Sequence, residues 1–196
     1  MRKRDQRRLT PEDWAQAALA AIADGGVDAV AVESIAAELG ATKGSFYWHF
    51  KNRDALIQAA LDRWEKRRTE AVIEELEQEP DPAKRLKMVI ETGFEFGPAD
   101  RAEIALLANP GHPAALRAVR RVAKRRITYI SKQLERLGYD PRDALDRAVL
   151  MYYLYVGHLQ TAHVAPRLIT SEARRRQIDI AFETLVVGPL EAPCST

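Results

Sequence analysis

The chain has 196 residues, 46% hydrophobic and 30% charged, the make-up of a globular protein with apolar surface enough for a core. The formal net charge is only +2, so overall charge does not argue for a polyanionic partner, and the single cysteine, Cys194, excludes an internal disulfide and suits a reducing cytoplasm. Charge is unevenly placed: Arg2, Lys3, Arg4, Arg7 and Arg8 face one acid, Asp5, at the start of the chain. Such an arm is either a solvated end or part of a nucleic-acid contact. No apolar run follows it, so no signal peptide is expected, and the most apolar stretch, Val149 to Leu159, is too short to span a bilayer.

Apolar residues recur at helical spacing almost throughout, and no alternating strand pattern appears, so an all-α fold is expected. The first helix starts at Thr10 as N-cap, with Pro11 at the first helical position and Asp13 at the capping-box site. Leu9 and Trp14 are placed as a hydrophobic staple, Ala18, Ala21 and Ile22 continue the buried face, and Gly25-Gly26 ends it. A short second helix covers about Val32 to Leu39 and stops at Gly40; a third runs from about Thr42 to His49 with Thr42 as N-cap. The fourth opens at Asn52 or Asp54 and continues through Leu56, Leu61 and Trp64 to about Gln78, before Glu79-Pro80-Asp81-Pro82. Leu86, Ile90 and Phe94 mark a fifth helix, and Ala102 to Leu107 a shorter sixth. The seventh spans Pro113 to Leu137, the eighth about Pro141 to Val164 and apolar on nearly all sides, the ninth about Ser171 to Val187.

The segment Ile35 to Phe50 has the proportions of a helix-turn-helix: two short helices about a turn in which Gly40 suits the left-handed conformation. An ordinary αα-corner has the same proportions, and the exposed face of the second helix separates the two. A corner would present long solubilising charges. Here Thr42, Lys43, Gly44 and Ser45 give one cation, two small donors and a glycine, the slim end that a helix entering a major groove needs. Phe46 and Phe50, four apart, belong to a core with Ile22, Ile35 and Leu39. Tyr47, His49 and Lys51 then fall away from that core and offer donors to phosphate oxygens, while Trp48 stands between groove contact and packing.

The run IAAELGATKGSFYWHFKNRDAL resembles the DNA-binding domain of the TetR family of bacterial transcriptional regulators. Ile35-Ala36, Leu39-Gly40, Tyr47, His49-Phe50, Lys51 and Arg53-Asp54-Ala55-Leu56 carry that resemblance, which covers about residues 8 to 57. It implies that Thr42, Lys43, Gly44 and Ser45 face bases or the groove wall, and that Tyr47, His49 and Lys51 touch phosphates. Two positions depart from the pattern. Ala31 stands where the family usually caps its second helix with Thr or Ser, and Glu33 stands where Arg is frequent. Arg53 replaces a common Lys and keeps its charge.

The expected organisation is a basic arm (1–8), a helix-turn-helix DNA-binding domain (9–54), an effector-binding and dimerisation bundle (55–190) and a tail (191–196). In that bundle the helix around Val149 to Gly157 and the last helix look more apolar than a monomer requires. The resemblance implies that this pair meets its twin in a homodimer, with Tyr153, Val156, Ile178, Phe182, Leu185 and Val186 at the interface. It also implies a cavity for a small, largely apolar effector. Candidate lining residues are Leu61, Trp64, Met88, Thr92, Phe94, Ile104, Leu107, Tyr152, Tyr155 and Leu159, with Glu91, Glu95, His112, His158, Gln160 and His163 as polar groups in or near it.

The histidines lack a paired metal-ligand spacing, so neither metal nor cofactor is expected. The run Arg117, Arg120, Arg121, Lys124, Arg125, Arg126 is either a solvated face or an extension of a DNA footprint. No phosphate loop, nucleophile elbow or zinc-protease pattern occurs. The implied function is a cytoplasmic repressor that binds a palindromic operator through the major groove and is released by effector. An effector-blind DNA-binding protein is the alternative, and an all-α enzyme the distant one.

Overall fold

A computed structural model describes residues 9–97, 100–108 and 111–188. The basic arm, Cys194 and the tail lie outside the described residues. Among them every regular element is helical: α1 (Pro11–Gly25), α2 (Val32–Glu38), α3 (Lys43–Tyr47), α4 (Arg53–Glu65), α5 (Ala71–Leu76), α6 (Pro82–Phe94), α7 (Asp100–Ala108), α8 (Pro113–Arg136), α9 (Pro141–Val164) and α10 (Ser171–Phe182). A π-helical turn, Lys66–Glu70, joins α4 to α5, and another, Glu183–Val187, prolongs α10.

Local chemistry sets the helix starts. The Thr10 hydroxyl accepts from Asp13 N at 3.3 Å and the Asp13 carboxylate accepts from Thr10 N at 2.8 Å, so the expected capping box satisfies donors in both directions. Thr42, Asn52, Asp81, Asp140 and Thr170 cap α3, α4, α6, α9 and α10 by the same logic. Ala31 opens α2 with no side-chain cap.

The described residues gather into two compact units, one comprising those up to Arg67 with Arg101–Val119, the other Arg68–Asp100 with those from Arg120 onward. The N-terminal unit is therefore larger than the expected 9–54, because α4 packs on α1 and a later segment joins it. Its fully buried side chains include Trp14, Ile22, Ile35, Phe46, Leu56, Ile57, Leu61 and Trp64.

In the second unit α6 packs against α9 and α10. Leu86, Ile90, Phe94, Ile130, Leu134, Ala144, Ala148, Met151, Ala181, Leu185 and Val186 share one core. The buried Arg85 guanidinium reaches Gln133 Oε1 at 3.2 Å and pairs with Glu77 at 3.2 Å. Tyr139 Oη donates towards the Val186 and Gly188 carbonyls, 2.9 Å from each, and so anchors the end of the π-helical turn.

That turn corrects one expectation. Leu185 and Val186 are 8% and 4% exposed and belong to the core of their own unit. A π turn accommodates an extra residue, so the face read from a 3.6-residue period rotates past residue 182. Ile178 and Phe182 are partly buried against the same core, while Ile180 on α10 is exposed.

Candidate nucleic-acid interface and effector cavity

The five-residue cluster Phe46 to Phe50 divides cleanly. Phe46 is fully buried, edge-on to Trp14 at 5.5 Å and stacked on Phe50 at 5.7 Å, which fixes α3 from beneath. Tyr47 and Trp48 are 57% and 82% exposed, so Trp48 is not a packing residue. Lys51 is exposed and His49 half-buried. Thr42, Lys43 and Gly44 lie on the surface, with Ser45 half-buried and its hydroxyl donating to the Thr42 carbonyl at 2.8 Å. A methyl group added at Gly44 would meet nothing of the protein closer than Thr42 Oγ1, at an ordinary 3.6 Å. Internal packing therefore gives no reason for a glycine there.

Two side chains behave in ways the sequence pattern did not signal. Lys43 Nζ donates to Glu33 Oε1 at 2.6 Å. This bond, with the attraction between the charges, holds the Glu33 carboxyl below its ordinary value and the Lys43 ammonium above its own. Arg53 turns inward: its Nε donates to the Val30 carbonyl at 2.6 Å and its Nη2 to the Val27 carbonyl at 2.8 Å. It clamps the turn before α2 to the start of α4.

The second unit contains a cavity of about 100 Å³. Its lining mixes the apolar Val72, Ile73, Ile90, Ile130 and Met151 with polar residues that include Arg68, Thr69, Arg126 and Tyr129. Arg126 lies 5.1 Å from the centre of the Tyr155 ring and donates to Thr69 Oγ1 and the Arg68 carbonyl, each at 3.1 Å. Beside the cavity runs an open groove of about 820 Å³ bordered by Leu150, Tyr153, Leu154, Leu168 and Ile180. His158 borders it too, 6% exposed and stacked on Phe94 at 4.6 Å. Burial, and next the Arg174 charge, push its imidazole below the ordinary value.

Residues 16–60 match the family of bacterial regulatory proteins, tetR family. The N-terminal domain is that of the TetR family. No curated protein matches the chain. Among solved structures, a transcriptional regulator from Rhodococcus sp. Rha1 superposes with a TM-score of 0.78 at 22% identity, over 94% of this chain and 100% of that one. A putative regulator from Saccharomonospora viridis in complex with choline gives 0.75 at 19%, over 89% and 95%. SmeT of Stenotrophomonas maltophilia in complex with triclosan gives 0.73 at 23%, over 94% and 95%. These likenesses show a shared fold, an N-terminal helix-turn-helix followed by a helical domain. The TetR match is confined to the segment that carries the helix-turn-helix, residues 16–60, and beyond it the likeness is one of fold.

Four of the residues expected at a cavity, Thr92, Phe94, Tyr152 and Tyr155, line that of the second unit. Leu61, Trp64, Ile104 and Leu107 lie in the N-terminal unit, Met88 packs on the core of the second unit, and Leu159 is fully buried outside the lining. Glu91, Glu95, Gln160 and His163 are exposed, and His112 is half-buried in the N-terminal unit. The basic run is not one uniform face: Arg125 pairs with Glu70 at 3.1 Å, while Arg126 turns to the cavity. Among the described residues no three His, Cys, Asp or Glu side chains gather as a metal site, and no helix is long and apolar enough to cross a membrane.

Proposed function

We propose that this regulator is a cytoplasmic homodimeric repressor whose paired α3 helices read a palindromic operator in successive major grooves. The observation that carries the reading is the surface of α3: a slim Thr42–Ser45 end beside exposed Tyr47, Trp48 and Lys51, over a ring core that holds the helix in place. Thr42 to Ser45 approach base edges, while Tyr47, His49 and Lys51 grip phosphates with Trp48 beside them. One such helix reads too few base pairs for an address, which favours a two-fold assembly.

The apolar face of α9 and α10, with Tyr153 and Ile180 65% and 64% exposed, supports an interface there, joined by Val156 and the outer edges of Ile178 and Phe182. A small apolar effector in the cavity favours a conformation whose recognition helices are mis-spaced, and so lowers operator affinity. The helical segment that starts at Arg53 ends among cavity residues, and the choline and triclosan complexes of two fold neighbours support a small-molecule site.

The test is a mobility-shift titration on the palindrome nearest the protein's own gene. Tyr47→Ala with Lys51→Ala should weaken binding and flatten its dependence on salt, by a slope of about 0.9 for each phosphate no longer neutralised. Unchanged binding would reject the contact assignment. A monomer by sedimentation would reject the assembly.

A further inference from the structure

Glu33 on α2 and Lys43 on α3 set an acceptor and a donor side by side at the recognition helix, and an inference from that couple rests on reading α3 as the DNA-binding helix. Lys43 Nζ and Glu33 Oε1 are 2.6 Å apart, yet the two side chains stay 56% and 66% exposed, so packing occupies neither. Of the three ammonium protons one goes to Glu33 and two remain, and the carboxylate keeps lone pairs free. The adjacent residues have less to offer a base. The Ser45 hydroxyl donates to the Thr42 carbonyl, the Thr42 hydroxyl accepts from Ser45 N at 3.2 Å, and Gly44 has no side chain.

Base pairs carry the same kind of couple on their major-groove edge. In G·C the guanine O6 acceptor lies beside the cytosine N4–H donor, about 2.9 Å away across their own hydrogen bond, and guanine N7 is a second acceptor beyond O6. A lysine–carboxylate pair 2.6 Å apart lies over that edge nearly in register. The ammonium donates to O6 and N7 while the carboxylate accepts from N4. Either A·T orientation gives the ammonium one acceptor instead of two and sets a further acceptor beside the carboxylate. C·G opposes the couple at both points, donor under ammonium and acceptor under carboxylate.

We propose that Glu33 and Lys43 read one base pair of each half-site as a unit, selecting G·C with guanine on the lysine side, and that Glu33 is the specificity-determining member. On other sequences Lys43 meets a phosphate only by leaving Glu33, whose unpaired charge then stands against the backbone. The carboxylate thus favours the cognate step and weakens binding elsewhere.

The test is selection from a random duplex library with the full chain, followed by titration of the selected site carrying each of the four base pairs at every position. The unaltered chain should favour G·C over C·G at least about tenfold at one position of each half-site, with both A·T orientations between them. Glu33→Ala should lower that ratio at least about threefold and raise affinity for unselected DNA. Glu33→Lys combined with Lys43→Glu exchanges donor and acceptor, so the preference at that position should invert to C·G. Tryptophan fluorescence melts check that each variant is folded, and where the exchanged pair is not, Glu33→Ala decides. A folded exchanged pair that keeps the original preference overturns the proposal, as does a Glu33→Ala chain with unaltered ratios. If the unaltered chain enriches no sequence at all, the DNA-binding reading beneath the proposal falls instead.

Discussion

Arg53 offers the sharpest separation between a clamp and a DNA contact, because its sequence position suggests a retained positive charge and its geometry suggests an internal brace. Its two donors reach the carbonyls of Val30 and Val27, residues 1% and 2% exposed. The Val27 carbonyl also accepts from Val30 N at 3.2 Å, so it keeps a partner if the guanidinium goes. A hydrogen bond to a charged group contributes about 1.5–3 kcal/mol when buried; for a half-buried side chain we take about 1 kcal/mol each. Arg53→Met should then cost about 2 kcal/mol, and Arg53→Lys, which keeps the charge but reaches one carbonyl, about 1 kcal/mol.

The three tryptophans, Trp14, Trp48 and Trp64, all lie in the N-terminal unit, so intrinsic fluorescence during urea unfolding reports that unit. With a slope of about 2 kcal/mol per molar, the Met variant should lower the midpoint by about 1 M. The salt slope of DNA binding, measured where the variant is folded, should not change. Untouched stability with a salt slope lower by about one unit, the signature of a missing phosphate contact, would refute the clamp.

Gly44→Ala should stabilise the N-terminal unit by about 0.5–1 kcal/mol, since glycine costs that much in a helix and the added methyl is tolerated, yet it should weaken operator binding; thermal melts beside shift assays check both. Glu33→Gln frees Lys43 from its 2.6 Å bond, so DNA affinity at low salt should rise and its salt slope steepen, as a titration at several salt concentrations would show. His158 has a folded value below its ordinary 6.5, so the unfolded chain takes up its proton first as pH falls. Its contribution to stability is complete above about pH 6.5 and is lost on acidification through the folded value; urea midpoints by circular dichroism between about pH 7.5 and about pH 5 should fall less in His158→Phe.

What the sequence made legible was local. Thr10 with Asp13, and Thr42 ahead of Ser45, satisfy their own helix amides within a turn, so those caps need no knowledge of the rest of the chain. Gly40 adopts φ 63°, and the four-residue spacing of Phe46 and Phe50 already placed both rings in the core. What stayed hidden depended on separation. Glu33 meets Lys43 ten residues on, and Arg53 reaches back 23 and 26 residues, neither marked by periodicity. Leu61 and Trp64, expected at the cavity, are instead buried in the N-terminal unit, because periodicity carries no label for which core receives a side chain. Leu185 and Val186 failed for a different reason: the π-helical turn shifts the phase on which their outward face was inferred.

The recognition segment also departs from good local design. Capping side chains open α1, α3, α4, α6, α9 and α10, whereas α2 begins at Ala31 with none, at a cost of about 1 kcal/mol. A glycine sits inside the five-residue α3, where alanine would fit, and a tryptophan 82% exposed follows it. None of the three helps the domain fold. All three lie between residues 31 and 48, around one helix whose underside is held by buried rings. Three such departures between residues 31 and 48, beside a helix held by ring packing, fit a surface on which another molecule completes the structure. A backbone that can approach closely, an exposed indole and a lysine that can exchange the Glu33 carboxylate for a phosphate are what a DNA duplex would use there.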